Sequence, residues 1–307
     1  QTPHIFYNLR LRHKSMPATI REHSQKVTQL LARAGIESPG LCARVLGAHV
    51  AGLDEIAYLL AQNDCLEAAA ASRLYFLAGR LVGGEPLAHV LGRREFYGRD
   101  FVVDKNVLIP RPETELLVDL ALGLLPDKKI AFADLGCGTG CIGISLALER
   151  PQWRGLLLDK SLAALAVAKA NCQLNGARIE LIAGDMFALA LAPQSLDLVV
   201  SNPPYIGKDD EVMDCVREYE PACALFSENN GLAHLGAIIR QAWRLLRPGG
   251  LLLLEHGCGQ GEKVLEMLRL ANFTRVECRK DLAGLERCCL AWKGQKPMAV
   301  DKRRECQ

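Results

Sequence analysis

No apolar run in this chain reaches the roughly 18 or more residues that a membrane-spanning helix needs. Strong charge of either sign is also missing. The formal net charge is +2 over 307 residues, which gives little basis for a large nucleic-acid footprint, so no stable nucleic-acid partner is expected. The first fifteen residues lack the apolar core of a signal peptide and carry five basic or histidine positions instead. Cysteine is abundant at twelve residues, yet no Cys-x-x-Cys pair occurs, and the cysteines fall within apolar segments. That pattern predicts reduced, mostly buried thiols in a cytoplasmic protein rather than a disulfide or metal scaffold, and no metal is expected.

What is present suits an enzyme with a sizeable core: half of the residues are hydrophobic, enough for one large domain or two. Residues 1–15 look detached, and Met16-Pro17 makes a natural start, so the preceding stretch is read as an extension. From there to about residue 82 the pattern is helical, within a domain read as residues 16–92. Ile20, Val27, Leu30, Leu31 and Ala34 fall on one face, Ser38-Pro39 and Asp54 are placed to start helices, and Leu66 to Leu81 is alanine-rich. Gly83-Gly84 is expected to close this small bundle, which shows no internal repeat. Residues 93–108 read as a hairpin linker turning near Gly98. An amphipathic helix to about Leu125 follows, and then strand and helix patterns alternate to residue 293. Strands are expected near 130–135, 155–159, 179–183, 196–201, 250–255, 273–278 and 287–292, with helices filling most of the gaps. That alternation predicts an α/β fold with a mainly parallel, Rossmann-like sheet covered on both faces. The last two strands have no helix between them and should pair antiparallel. Residues 294–307 form a basic tail, read as a solvated end.

Two features carry chemistry. Asp134-Leu135-Gly136-Cys137-Gly138-Thr139-Gly140 lies between the first strand of the alternating region and its helix, where glycines permit a tight turn and close approach of backbone to a ligand. Gly138, Gly140 and Gly143 satisfy a dinucleotide fingerprint. Gly136, Gly138 and Gly140 equally satisfy the loop of S-adenosylmethionine enzymes, and Asp159, ending the next strand, suits a ribose diol in either case. The second feature is Asn202-Pro203-Pro204-Tyr205, directly after an apolar strand. Two prolines stiffen the backbone and remove N–H groups, so an amide, rigid carbonyls and an aromatic ring gather at a strand's C-terminal end. Such a group grips a flat, NH2-bearing nitrogen, which favours amino-methyl transfer over hydride transfer. Asp185, after the third strand, is placed to accept from the adenine amine, and Met186 to cover the ring.

In this order the motifs resemble the HemK/PrmC family, which methylates the side-chain amide nitrogen of glutamine. The resemblance covers roughly residues 17–293. It includes Gly84 to Gly92, Ile109-Pro110-Arg111-Pro112-Glu113-Thr114-Glu115, the glycine loop, the Asn202 tetrad, Glu220-Pro221 and Glu255-His256-Gly257. It implies a class I S-adenosylmethionine-dependent fold with a helical substrate-recognition domain over 16–92 and a methyltransferase domain over 109–293. It also implies S-adenosylhomocysteine as product and the glutamine of the Gly-Gly-Gln motif in class I peptide-chain release factors as substrate. Cofactor contacts are expected at Gly136, Cys137, Gly138, Thr139, Gly140, Asp159, Asp185, Met186 and Asn202. Substrate contacts are expected at Asn202, Pro203, Pro204 and Tyr205, with Asn202, Pro203 and Tyr205 serving catalysis. Cys137 stands where the family often has threonine, and Met186 where a larger aromatic is common. Pro110-Arg111-Pro112 favours the release-factor branch over the sister group that modifies a ribosomal protein. Exocyclic-amine methyltransferases of nucleic acids carry similar tetrads and are the main rival. A non-catalytic S-adenosylmethionine-binding module and an NAD-dependent oxidoreductase are weaker ones. Glu255 and His256 are read as structural, with support of the site as the alternative.

Overall fold

In a computed structural model of the protein, residues 18–294 are described. The expected extension over 1–15, and all of the tail beyond Gly294, lie outside them. The chain divides into two compact units, with the boundary between Val90 and Leu91.

The first unit is helical: α1 (Ile20–Arg33), α2 (Pro39–Ala51), α3 (Glu55–Leu60), α4 (Ala68–Val82) and α5 (Leu87–Leu91), the last ending at the boundary. Helix α1 starts with a capping box, Thr19 accepting from the Glu22 N–H while Glu22 accepts from the Thr19 N–H. Asp54 caps α3 as expected, accepting from the Ala57 N–H at 2.7 Å. Ser38 does not cap α2; it adopts a left-handed conformation (φ 49°) without a side-chain bond, and Pro39 alone sets the first turn. Ile20, Val27 and Leu31 are buried, whereas Leu30 and Ala34, at the edge of the expected stripe, are exposed. Gly83-Gly84 does not end the helical region, because α5 follows it.

The second unit begins with a hairpin, β1 (Arg93–Phe96) and β2 (Arg99–Val102). Its turn residues Tyr97 and Gly98 both have positive φ, the geometry that matches strand twist in a two-residue turn. This hairpin is not a linker. Phe96 and Phe101 are buried in the core of the unit, and Asn171 on α8 (Leu162–Asn175) bonds both the N–H and the carbonyl of Val102. Next come α6 (Glu115–Leu124), β3 (Ala131–Leu135), α7 (Cys141–Glu149) and β4 (Arg154–Asp159). After α8 follow β5 (Glu180–Ala183), β6 (Leu196–Ser201), α9 (Asp214–Tyr219), α10 (Ala222–Leu225), α11 (Ala233–Leu245) and β7 (Leu246–Glu255). The chain closes with α12 (Gly261–Leu270), β8 (Phe273–Lys280) and β9 (Glu286–Lys293). Helices α9 and α10 carry no recognisable apolar period and are absent from the sequence reading. Strand β7 starts earlier than expected, with a register shift against β6 near its Pro248-Gly249 bend.

Seven strands form one sheet in the order β5-β4-β3-β6-β7-β9-β8; the first five pair in parallel and β9 pairs antiparallel to both neighbours. Alternate residues face opposite layers. Phe132, Leu198 and Leu253 join one core, Ala133, Val199 and Leu252 the other. The strand order reverses between β3 and β6. The crevice beyond the carboxyl ends of those two strands is the place where this architecture binds ligands.

Candidate active site

A cavity of about 470 Å³ opens at that reversal. Four successive segments contribute to it: Gly136 to Thr139 after β3, Asp159 to Ser161 at the end of β4, Asp185 to Phe187 after β5, and Asn202 with Pro204 after β6. Sheet topology therefore gathers residues that the sequence spaces widely.

The glycine loop is shaped by its conformation. Gly136, Gly138 and Gly140 all have positive φ, which favours glycine at each. A Cβ at Gly138 would meet nothing within 4 Å, whereas one at Gly136 would come within 2.9 Å of Met186 Cε, so the thioether lies over the loop. Asp159 holds the loop in place, accepting from the Gly138 N–H at 2.9 Å and from the Ser161 N–H at 2.9 Å. Each carboxylate oxygen keeps a further lone pair for a hydroxyl donor. Asp185 accepts from Lys160 Nζ at 2.8 Å and from the Phe187 N–H at 3.0 Å, and the lysine contact, more than the backbone bond, holds its carboxyl below the usual range. Below the loop, Asp134 is fully buried. Desolvation pushes its pKa up to about 7 against the Gly143 N–H that its Oδ2 accepts at 3.1 Å.

The end of β6 is held from several sides. Ser201 Oγ donates to the Leu135 carbonyl, tying β6 to β3. Gln260 Nε2 donates to the Tyr205 carbonyl at 3.0 Å, and Ile206 bridges to Phe226. Asn202 Nδ2 donates to the buried Thr114 hydroxyl at 3.1 Å, while Asn202 Oδ1 is buried without a partner. Asn202 lines the cavity, and leaving such an acceptor unmet costs about 1–3 kcal/mol. The buried Glu220 carboxylate accepts from the Ile109 N–H at 2.9 Å and from Arg111 at 2.5 Å, binding the 109–115 segment to the region after β6.

Of the expected site residues, Gly136, Cys137, Gly138, Thr139, Asp159, Asp185, Met186, Asn202 and Pro204 line the cavity; Gly140, Pro203 and Tyr205 do not. Gly140 is the N-cap of α7 and acts on loop shape. Tyr205 is not among the lining residues, and its hydroxyl lies 3.4 Å from Glu255 Oε1. Burial, with the Glu255 charge adding, pushes its phenol up to about 12. Sequence reasoning missed Thr114 and Arg111 as site residues although it quoted their motif. It also missed Lys160 and Phe187, neighbours of assigned positions, and Phe226 and His234, for which no local signal exists. Phe187 and His234 meet edge to face at 5.1 Å.

His256, beyond β7, does not reach this cavity. Its Nδ1 donates to the Gly257 carbonyl, and its Nε2 lies 3.3 Å from Cys278 Sγ. With Cys289 these residues form a cluster whose ligand-type atoms lie within 4.8 Å of one another.

Family models match the chain twice: a PrmC N-terminal domain over residues 22–92 and a methyltransferase small domain over residues 114–219. A release factor glutamine methyltransferase of Nitratidesulfovibrio vulgaris is 40% identical over 89% of this chain and 95% of its own length. One from Bordetella pertussis is 44% identical over 84% of this chain and 96% of its own. Among solved structures, a methyltransferase from Pyrococcus furiosus superposes with a TM-score of 0.50 at 14% identity, covering 75% of this chain and all of that one, a likeness of fold. The cavity suits S-adenosylmethionine. It offers carboxylate acceptors at Asp159 and Asp185, an open glycine turn at Gly138 and an apolar cover at Met186.

Proposed function

Because the chain belongs to the HemK/PrmC family of release factor glutamine methyltransferases, we propose that it methylates the side-chain amide nitrogen of the glutamine in the Gly-Gly-Gln motif of class I peptide-chain release factors. The observation that supports the chemistry is Asn202 in the cavity lining, its side-chain oxygen left without a hydrogen-bond partner. A carboxamide nitrogen is a poor nucleophile, since its lone pair is delocalised into the carbonyl, the resonance behind the ~18–20 kcal/mol peptide rotation barrier. Asn202 Oδ1 and the Pro203 carbonyl accept the two N–H bonds of the substrate amide. They hold the nitrogen in one orientation and stabilise the positive charge that develops on it. S-adenosylmethionine, when bound, supplies a methyl carbon on a sulfonium sulfur, and S-adenosylhomocysteine is what remains. Asp159 holds the ribose diol, Asp185 the adenine amine, and Met186 covers the adenine ring. The alkylated nitrogen is strongly acidic while cationic, so its proton passes to water without a dedicated base.

In this reading the helical unit recognises the release factor. Ile56 and Leu60 on α3 support it, being 73% and 81% exposed, unusual for such side chains without a partner. Substrates of this kind place the enzyme in the cytoplasm. The test is methyl transfer from labelled S-adenosylmethionine to a purified class I release factor, with mass spectrometry of the Gly-Gly-Gln peptide. The expected result is a gain of one CH2 on that glutamine. Label on a ribosomal protein or nucleic acid, with none on the glutamine, overturns the substrate.

A further inference from the structure

Away from the cavity, one group of side chains in the α/β unit brings together atoms that methyl transfer does not use. His256 follows β7, Cys278 lies on β8 and Cys289 on β9, and the two cysteines are direct partners in the antiparallel pairing. Both side chains therefore stand on one face of the sheet, in the same core layer. His256 Nε2 lies 3.3 Å from Cys278 Sγ, and Nε2 and the two Sγ atoms all lie within 4.8 Å of one another. Around a tetrahedral zinc ion, with Zn–S about 2.3 Å and Zn–N about 2.0–2.1 Å, neighbouring ligand atoms stand about 3.5–3.8 Å apart. Side-chain shifts of about 1 Å or less cover the difference.

The imidazole is already set for such a task. Its Nδ1 lies 2.9 Å from the Gly257 carbonyl, which only accepts. Nδ1 thus carries the proton and Nε2 turns its lone pair to the sulfur atoms, the orientation that an outer hydrogen bond gives a metal-bound histidine. His256 and Cys289 are buried and Cys278 is half-buried, which leaves an approach from solvent. Gly261, at the start of α12, keeps the flank clear: a Cβ there would overlap the Glu286 carboxylate and come within 3.2 Å of Cys278 Sγ. Two thiolates and a neutral imidazole are neutralised by a divalent cation, whereas a monovalent one would leave a buried negative charge. Sulfur ligands select a cation of the zinc class over magnesium or calcium.

We propose that His256, Cys278 and Cys289 form a binding site for one zinc-class divalent cation, with the Glu286 carboxylate or a water as fourth ligand. Binding releases two thiol protons to solvent and changes no oxidation state. The ion fastens β8 and β9 to the turn after β7, where Gln260 holds the Tyr205 carbonyl.

The test uses the full chain, reduced and stripped with a chelator. Zn2+ is titrated in competition with a chromogenic chelator, and Co2+ separately while absorption is recorded. One equivalent of zinc should bind more tightly than about 1 μM. Cobalt should give a thiolate-to-metal charge-transfer band beside the strong visible bands of a tetrahedral ion. Cys278→Ser, Cys289→Ser and His256→Gln should each weaken zinc binding at least about 100-fold. Changing the exposed Cys65, Cys223 and Cys258 to serine should leave it in place. Zinc should raise the melting temperature of the wild type and not that of Cys289→Ser. No equivalent at that affinity, binding that survives in Cys278→Ser and Cys289→Ser, or a cobalt spectrum without a thiolate band overturns the proposal. A Cys278–Cys289 disulfide found in place of metal by peptide mapping before reduction overturns it too. If the variants fold poorly, the cobalt spectrum of the wild type decides. Methyl transfer enters none of these readouts, so the site stands or falls apart from the functional reading.

Discussion

Asn202 and Asp159 divide the work of the site at the level of single residues. Replacing Asn202 with alanine removes the acceptor at the cavity wall. Turnover should fall roughly 10²–10³-fold, the scale of losing one preorganised hydrogen bond to a transition state, while S-adenosylmethionine affinity changes less; steady-state rates with calorimetry separate the two. Asp159→Ala should do the reverse, weakening cofactor binding about 10- to 100-fold, the range for bonds to a charged acceptor, and calorimetry reads it directly. Asp134 makes a different prediction. Burial raises its pKa to about 7 in the folded protein, against about 3.9 in the unfolded chain. The folded state thus binds that proton more tightly, and the stability it contributes is complete below the unfolded value and lost as pH rises through about 7. Asp134→Asn keeps an oxygen for the Gly143 N–H but cannot ionise. Thermal melts of the ligand-free protein from pH 5 to pH 8 should show the wild type losing stability relative to the variant; parallel curves would remove the explanation.

Elements decide how these residues meet. Helices α9 and α10 are short and follow the Asn202 tetrad, yet they place Glu220 between them, where its buried carboxylate holds Ile109 and Arg111. Glu220→Ala leaves a buried N–H and a part-buried guanidinium without their acceptor, which should cost about 2–4 kcal/mol in a urea melt. The Glu220-Pro221 pair was legible as a motif, but its purpose was not, because Ile109 and Glu220 lie 111 residues apart in the chain. The long strands and helices, by contrast, were readable from period alone: β6 falls where its apolar run predicts it, bounded by the two prolines. Short elements such as α9 and α10 offer too few residues for a period to show, and α3 was marked only by its Asp54 cap.

For the molecule as a whole, the division into a helical unit and an α/β unit predicts separable roles. Ile56→Ser with Leu60→Ser alters two exposed positions four residues apart, hence on one face of α3. The double variant should raise KM for an intact release factor at least about fivefold, leave kcat/KM for a short Gly-Gly-Gln peptide within about twofold, and hold the melting temperature, since exposed sites away from special features contribute little to stability. Equal effects on both substrates would place recognition elsewhere.

By itself the sequence determined the kinds of elements and their order, the glycine loop, the acid after β4 and the amide-proline tetrad. Each rests on neighbours within a few residues: a hydrophobic period, a turn that needs glycine, a proline that ends a strand. Only the tertiary structure decided that β6 lies beside β3, that Tyr205 meets Glu255 and does not line the cavity, and that Thr114 meets Asn202 across 88 residues of chain. Those outcomes come from sheet topology and from buried polar groups finding partners, and both depend on contacts between residues far apart in the chain, which local pattern does not record.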